Sequence, residues 1–260
     1  MIIVNSKYLL EENLIINKKK IMIKTSFYCI VSVILFFMVI LFMQKLFINA
    51  EIPTIDPSII IKERELPKRK LSALAGDSDA AFALGVYYNV GFQKYNETIE
   101  WYTIGTENGC YKSQYNLAIY LLDANNNEFR TRGVFWLYMM AKNDYRETKN
   151  RLERLGFCLN TAQPPDDSFF INDYSQLNLT QLEQYKDGAL KGNRRATWVL
   201  GKYYSDEIQG DNDLSKYWYR IGAQNGNPEC QYILGQILRN KDNEFDQTRG
   251  EFWLRKADEV

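Results

Sequence analysis

The stretch Thr131-Arg132-Gly133-Val134-Phe135-Trp136-Leu137 returns later in the chain as Thr248-Arg249-Gly250-Glu251-Phe252-Trp253-Leu254. The two copies differ at one position and are separated by 248 − 131 = 117 positions. A fixed internal offset is the signature of a repeated structural unit. The repeat therefore predicts that one helical module is present twice in this chain.

Two further strings support this interpretation. Trp101-Tyr102-Thr103-Ile104-Gly105 matches Trp218-Tyr219-Arg220-Ile221-Gly222 at the same offset. Leu84-Gly85 and Tyr87-Tyr88 match Leu200-Gly201 and Tyr203-Tyr204 with an offset of 200 − 84 = 116. Each module therefore contains several matched segments in the same order.

The spacing of apolar residues within a module is helical. Ala80, Leu84, Gly85 and Tyr88 fall at i, i+4, i+5 and i+8, which places them on one face of a helix. We expect this helix to break over Asn89 to Gln93, and the next helix to end at Asn108-Gly109, where glycine provides a left-handed conformation. The sequence predicts an all-α fold, an α-solenoid of antiparallel helix pairs.

The matched strings resemble Sel1-like repeats, which are relatives of tetratricopeptide repeats. The resemblance rests on Ala-x3-Leu-Gly-x2-Tyr in the first helix of a pair and Trp-Tyr or Trp-Leu in the second. It covers about Leu71 to Ala141 and Gly188 to Ala257. Gly105 and Gly222 depart from it, because the usual repeat has alanine there.

The amino-terminal part has a different character. The segment from Phe27 to Met43 carries no charge and, with its neighbours, gives roughly 20 apolar residues, enough for a transmembrane helix. Lysines at 18–20 and at Lys24 precede it, and only Lys45 follows closely. This asymmetry predicts a cytoplasmic amino terminus and an exported remainder, so the protein is expected in a bacterial inner membrane with its carboxyl-terminal domain in the periplasm. A cleaved signal peptide is the alternative.

The predicted organisation has six parts: a cytoplasmic segment 1–24, a transmembrane anchor 25–48, a proline-bearing stalk 49–65, a first module 66–156, a linker 157–178 and a second module 179–260. Since the last repeat ends directly before Val260, the final helix is expected to act as its own cap.

Composition excludes several classes of function. The chain of 260 residues contains 32 Lys+Arg and 32 Asp+Glu, so no basic character points to nucleic acid. Histidine is absent, which removes the commonest general base and metal ligand. The acidic pair Asp77/Asp79 is expected to cap a helix. We therefore predict no enzyme, no catalytic residue, no cofactor, no metal and no small-molecule substrate. The cysteines outside the apolar segment, Cys110, Cys158 and Cys230, allow at most one intrachain disulfide.

Aromatic residues divide into two groups. The repeated tryptophans Trp101, Trp136, Trp218 and Trp253 are predicted to lie in the core. Tyr111 is among the aromatic residues that have no role in the repeat. In this architecture the first helix of each pair is expected to line a concave face, so the predicted partner-binding residues are those that lie off the packing stripe: Phe82, Val86, Tyr120, Trp198, Lys202 and Gln236.

The combination of an anchor, a stalk and two Sel1-like modules resembles the immunity proteins that accompany phospholipase effectors of type VI secretion systems. The resemblance implies a periplasm-facing protein that binds a lipase-type toxin and blocks substrate entry. An envelope scaffold that assembles other membrane proteins is the alternative. A periplasmic module that binds peptides or glycans is a third possibility.

Overall fold

The computed structural model describes residues 61–143, 145–157, 174, 177–205, 210 and 212–259. This part of the chain is helical, which confirms the all-α class for the described residues. The eleven α-helices are α1 Leu66–Ala75, α2 Ser78–Val86, α3 Tyr95–Glu107, α4 Tyr111–Asp123, α5 Asn127–Lys142, α6 Arg146–Arg154, α7 Leu179–Leu190, α8 Arg194–Tyr203, α9 Asn212–Gln224, α10 Pro228–Arg239 and α11 Glu244–Asp258. Helices α2 with α3, α4 with α5, α8 with α9 and α10 with α11 pack as successive pairs.

The predicted transmembrane segment, Phe27 to Met43, lies outside the described residues. None of the helices that are described is both long enough and apolar enough to cross a bilayer.

Local signals set the helix ends. Side chains of asparagine or aspartate accept hydrogen bonds from backbone amides at the start of the helices, and these caps are Asp77, Asn126, Asn178, Asn193, Asn227 and Asn243. Gly109 and Gly226 follow α3 and α9 with φ of 89° and 82°, as the Asn-Gly pairs predict.

The break predicted over Asn89 to Gln93 is found at the end of that range. The helix continues beyond Val86 as a wider π-helical turn, Tyr87–Gly91. The chain changes direction only at Gln93, whose φ is 51°. Glycine at 91 was therefore not a sufficient signal for the end of this helix.

The four repeated tryptophans are buried, which confirms their predicted place in the core. Repeated glycines allow the paired helices to approach. A Cβ atom on Gly133 would lie 2.9 Å from the carbonyl oxygen of Ala118, and one on Gly250 would lie 2.7 Å from that of Gly235. These separations are shorter than van der Waals contact, so only glycine fits where α5 crosses α4 and where α11 crosses α10.

The repeated arginines form hydrogen bonds between the two modules. Arg132 of α5 donates to the Asn225 side-chain oxygen at 2.7 Å and to that of Gln224 at 2.9 Å. Arg249 of α11 donates to the side-chain oxygen of Asn108 at 2.8 Å and to Glu107 at 2.6 Å.

The partners are themselves equivalent, because 225 − 108 = 117 and 224 − 107 = 117. The arginine of each module therefore donates to the same two positions of the other module. Two subunits related by a two-fold axis contact each other in this reciprocal way.

Glu107 lies where the modules meet. Its side chain is fully buried and accepts from Arg249, from Arg220 at 2.8 Å and from the Gln224 amide at 2.7 Å. Burial opposes ionisation of this carboxyl, but Arg220 and Arg249 outweigh that effect and lower its pKa to about 2. Since Glu107 and Gln224 occupy equivalent positions and contact each other, the pseudo-two-fold axis passes between them.

The final helix does not act as its own cap, contrary to the sequence-based expectation. Helix α11 packs against α1, the first helix of the other module. Arg249 donates to the Leu74 carbonyl at 3.2 Å, and Arg255 donates to the Ala75 carbonyl at 2.8 Å. The last helix therefore contacts the start of the first module, and its Phe252 ring lies beside Gly76.

Replacing Gly133 by alanine is expected to lower the free energy of unfolding by about 1–3 kcal/mol, because the added methyl group forces α5 away from α4. Chemical denaturation measures the change. Gly91→Ala is the matched control, since a Cβ there meets nothing within 4 Å. It is expected to be neutral or to stabilise by up to about 1 kcal/mol. Equal losses in both variants would contradict the close-approach explanation.

Acid is expected to weaken the junction through Glu107. Its folded-state pKa lies below its unfolded value, so the stabilisation is complete above about pH 4.5 and is lost as pH falls towards about 2. Urea unfolding across this range is the measurement. Glu107→Gln is expected to be less stable at neutral pH, because two arginines lose their carboxylate, and to show a shallower dependence on pH. Exposed Glu153→Gln is the control and should retain the original slope. A Glu107→Gln slope equal to that of the unmodified chain would contradict this role.

Candidate functional site: two equivalent clefts

Two clefts lie at equivalent places in the two modules, between the first helices of successive pairs. Phe82 on α2 lines one and Trp198 on α8 lines the other, and 198 − 82 = 116. We call them the aromatic cleft and the arginine cleft. The aromatic cleft, about 280 Å³, is lined by Phe82, Tyr111, Lys112, Tyr115, Asn116, Met140, Tyr145 and Thr148. The arginine cleft, about 600 Å³, is lined by Tyr174, Arg194, Arg195, Trp198, Asn227, Pro228 and Glu229.

The aromatic cleft presents an exposed pair of tyrosines. The rings of Tyr111 and Tyr145 stack with centroids 5.7 Å apart and planes inclined by 17°. They are 50% and 41% exposed although both are large and largely apolar. Lys112 places its ammonium group 5.7 Å from the centroid of the Phe82 ring. A stacked, solvent-facing aromatic pair beside a cation is a surface suited to contact with another macromolecule.

The arginine cleft combines charge with an aromatic wall. Trp198 meets the ring of Tyr174 edge to face, with centroids 5.4 Å apart. Trp198 is half-buried and packs on the core of its module with one side. Arg194 and Arg195 are the first two residues of α8, after the cap formed by Asn193. The Arg194 guanidinium reaches the Gly226 carbonyl at 3.5 Å.

The structure distributes the six predicted partner-binding residues over different environments. Phe82 and Trp198 line the two clefts. Val86 and Tyr120 are half-buried against the core cluster around Tyr102. Lys202 and Gln236 are half-buried on the second module, and the Gln236 side chain accepts from Arg239 at 3.0 Å. The prediction that these residues contact a partner remains a prediction.

Tyr120 is held within its own module. Its hydroxyl group donates to the side chain of Asn89, and its carbonyl accepts from the hydroxyl of Tyr95 at 3.3 Å. Burial raises the pKa of Tyr120, and proximity to Tyr95 raises it further. Burial also raises the pKa of neighbouring Tyr102 to about 12. Both phenols therefore stay neutral at physiological pH, and Tyr120 serves as a hydrogen-bond donor.

Three of the charged or exposed cleft residues discussed above, Tyr145, Arg194 and Arg195, are among those that were not singled out from the sequence. Tyr145 lies in the segment before α6, for which the second module has no described counterpart, so the internal comparison could not flag it. Arg194 and Arg195 carried a signal that was overlooked. They replace Ser78 and Asp79 of the first module, a reversal of charge at the start of a helix.

The groups with possible reactivity have structural roles. Asp77 accepts from the backbone amides of Ala80 at 2.9 Å and Asp79 at 3.1 Å, which confirms its predicted role as a cap. The hydrogen bond from Ala80 is the main cause that lowers its pKa. Among the residues that the structure describes, no three His, Cys, Asp or Glu side chains are grouped as a metal site would require.

The structure excludes one of the disulfides that the sequence allowed. Cys110 and Cys230 are both buried free thiols, so they are not paired with each other. Burial raises the pKa of Cys230 to about 12, which keeps it protonated and unreactive. Cys158 lies outside the described residues.

Comparisons with known proteins add little to this geometry. No protein-family model matches the chain, and no curated protein matches it. Among solved structures, the chain is similar to a Sel1 repeat protein from Oxalobacter formigenes, with 18% identity, a TM-score of 0.27, and coverage of 75% of this chain and 79% of that one. Sel1 is the repeat type that the sequence resembles. A TM-score this low carries no argument, so the architecture rests on the contacts described above.

The tyrosine pair of the aromatic cleft should matter little for folding. Tyr111→Ala removes one stacked exposed ring and is expected to cost about 1 kcal/mol or less. Trp136→Ala removes a buried ring and is expected to cost about 3–5 kcal/mol. Thermal and urea unfolding of the two variants gives both values. A cost for Tyr111→Ala as large as that for Trp136→Ala would show that this ring belongs to the core instead of a surface.

Proposed function

We propose that this protein works by binding another protein through the clefts on its two helical modules. The observation that carries the proposal is the stacked, solvent-exposed pair Tyr111–Tyr145 at the mouth of the aromatic cleft. Tyrosine, tryptophan and arginine are the residues that dominate the energetics of protein interfaces, and the two clefts contain all three. A helical repeat of this kind offers a broad rigid surface, which suits binding better than catalysis.

More specifically, we propose a membrane-anchored immunity protein that faces the periplasm and blocks a cognate phospholipase effector of a type VI secretion system. The support is the sequence resemblance together with the charge-free segment from Phe27 to Met43 and the lysines before it. An anchor would hold the inhibitor at the surface that a lipase attacks, which raises its effective concentration there. Inhibition would be steric, because a rigid pair of modules placed over a lipase active site keeps lipid out.

An envelope scaffold is the second candidate, and one observation favours it. The two clefts are equivalent in position but different in chemistry, one tyrosine-rich and one arginine-rich. Two dissimilar sites on one rigid body are what an adaptor needs to bring two different membrane proteins together.

A toxicity rescue separates these functions. The candidate toxin is the product of the neighbouring gene. It is exported to the periplasm of cells with and without this protein, and the surviving cells are counted. For immunity we expect survival to be restored by the unmodified chain and reduced by at least about tenfold with Tyr111→Ala combined with Tyr145→Ala, because hot-spot truncations cost about 2 kcal/mol or more of binding.

Tyr232→Ala is the matched control, since Tyr232 is equally exposed, at 53%, and lies outside both clefts. Its rescue should equal that of the unmodified chain at equal expression. A toxic gene product that this protein fails to counter would contradict immunity, and direct binding of two different envelope proteins would favour the scaffold.

A further inference from the structure

One end of the first module carries exposed apolar side chains, in a turn that we call the apolar tip, residues 90–95. All residues of the tip are exposed, and among them Val90 is 58% and Phe92 is 53% exposed. The tip follows the π-helical turn that lengthens α2, and Gln93 then redirects the chain with its positive φ. Large apolar side chains in an exposed turn add nothing to the core, so the tip is suited to contact with another surface.

Basic side chains lie beside the apolar tip. The ammonium group of Lys70 on α1 is 5.5 Å from the centroid of the Tyr88 ring, and that of Lys94 is 6.0 Å from it. The Phe92 ring lies 6.3 Å from the same tyrosine. The contact of Lys70 places the start of α1 at the end of the module that carries the tip. This start adds the exposed basic residues Lys62, Arg64 and Lys68.

Acidic residues in this region are fewer than the basic ones. Arg64 lies 3.8 Å from Glu65, and Lys94 lies 3.4 Å from Glu97. Exposed ion pairs of this kind contribute little free energy. They therefore do not prevent these cations from contacting a surface that carries many negative charges.

The net charge distinguishes this end of the first module from the equivalent end of the second. Residues 62–70 and 89–97 contain six basic and three acidic residues, a net charge of 6 − 3 = +3. The equivalent residues 178–186 and 205–214 contain one basic and five acidic residues, a net charge of 1 − 5 = −4. The core of the repeat does not require this difference, because the faces that the helix pairs bury are the same in both modules.

One basic contact does recur and belongs to the repeat itself. Lys186 lies 5.8 Å from the centroid of the Tyr204 ring, as Lys70 lies 5.5 Å from that of Tyr88. The surplus of basic residues around this contact is particular to the first module.

The chain enters the first module at this same end. Ile61, the first residue of the described part, is 6% exposed and belongs to the core cluster that contains Tyr88. The charge-free segment that ends at Met43 precedes it by 61 − 43 = 18 positions. A connection of this length extends over at most about 65 Å. A bilayer crossed by that segment would therefore lie within reach of the end of the module that carries the apolar tip.

We propose that the apolar tip and the basic residues beside it contact the surface of an anionic lipid bilayer. Val90 and Phe92 enter the boundary between headgroups and acyl chains, and the basic residues pair with lipid phosphates. A small tip binds weakly by itself, but an anchor in the same bilayer gives it a high effective concentration. The inference rests on the proposed membrane anchor and specifies how the anchored module faces the bilayer.

A lipid surface is favoured over a protein partner by the place of the positive charge. The surplus occurs in the module that follows the charge-free segment, and within that module at the end where the chain arrives. Electrostatic attraction to anionic lipids acts only within about a Debye length of the bilayer, so basic residues are effective at this end of the molecule.

The test uses the full chain reconstituted in vesicles of phosphatidylcholine and phosphatidylglycerol. Phe92→Trp places a fluorescent reporter in the apolar tip, and lipids with brominated acyl chains quench tryptophans that lie in the bilayer. We expect Phe92→Trp to be quenched more than the unmodified chain. Tyr232→Trp is the matched control, because Tyr232 is equally exposed, at 53%, and lies on α10 of the second module. It should show no additional quenching.

The basic residues are tested separately in the Phe92→Trp chain. Lys62→Gln combined with Lys68→Gln is expected to lower the ratio of contacting to free tips about tenfold or more. Lys142→Gln combined with Lys241→Gln removes the same charge from exposed positions elsewhere and should leave this ratio unchanged. Urea unfolding curves establish that every variant folds.

Additional quenching that requires both phosphatidylglycerol and the two lysines supports the inference. Phe92→Trp that is quenched no more than the unmodified chain would overturn it, and a tip that contacts protein or another part of this chain would give that result. Equal quenching in vesicles of phosphatidylcholine alone, or equal ratios for the two lysine variants, would also overturn it.

Alkaline washing of the same vesicles separates this inference from the proposed function. A chain that washing removes is not anchored, which counts against a membrane-anchored inhibitor whatever the quenching shows. A chain that stays in the vesicles without additional quenching of Phe92→Trp leaves the proposed function intact and overturns the inference alone.

Discussion

The packing of the two modules depends on two buried arginines, one from each module. The guanidinium group of each arginine contacts the opposite module. The guanidinium groups of Arg132 and Arg249 lie over aromatic rings, at 4.1 Å from Phe135 and 3.9 Å from Phe252, and donate to the other module. A charge removed from water is costly unless its hydrogen bonds are satisfied, and here the satisfying groups belong mostly to the opposite module. Separation of the modules would therefore leave both arginines without those partners. The repeated motif combines this arginine and the Phe ring beneath it with a glycine that lets two paired helices of the same module approach each other.

The symmetry of the contact is broken at one place, for a physical reason. Identical modules would bring two glutamates together at the pseudo-two-fold axis, and two buried carboxylates in contact cannot both be ionised without a large penalty. The chain has Glu107 on one side and Gln224 on the other, joined by a hydrogen bond of 2.7 Å. One carboxylate then serves both Arg249 and Arg220. Arg132 has the neutral acceptors Gln224 and Asn225 instead, and burial lowers its pKa to about 9. The two junctions are alike in shape but differ in charge.

Much of the fold follows from sequence patterns, because they record contacts within a module. Leu84, Trp101 and their equivalents repeat since each helix pair buries the same faces. Gly105 and Gly222, which depart from the Sel1-like pattern, are explained by their neighbours. A Cβ at these positions would lie 2.7 Å from the Cβ of Ser113 and 2.8 Å from that of Cys230, so these two side chains occupy the space that an alanine methyl group would need. The reciprocal junction could not be derived in the same way. Periodicity shows that Arg132 and Arg249 are equivalent, but it does not show that each contacts the other module, and so the final helix was wrongly expected to be its own cap.

The candidate sites were the hardest to derive, because binding residues are those that the repeat leaves unconstrained. Phe82 and Trp198 were predicted because they lie off the packing stripe of first helices, whereas Tyr145 has no described counterpart to compare. The most informative differences between the modules lie in the first turn of α2 and α8, at Ser78-Asp79 and Arg194-Arg195. Substitution there leaves the buried faces untouched, so the modules can acquire different surfaces while keeping one core. This separation of core and rim explains how a duplicated scaffold comes to carry two clefts of equivalent position and unlike chemistry.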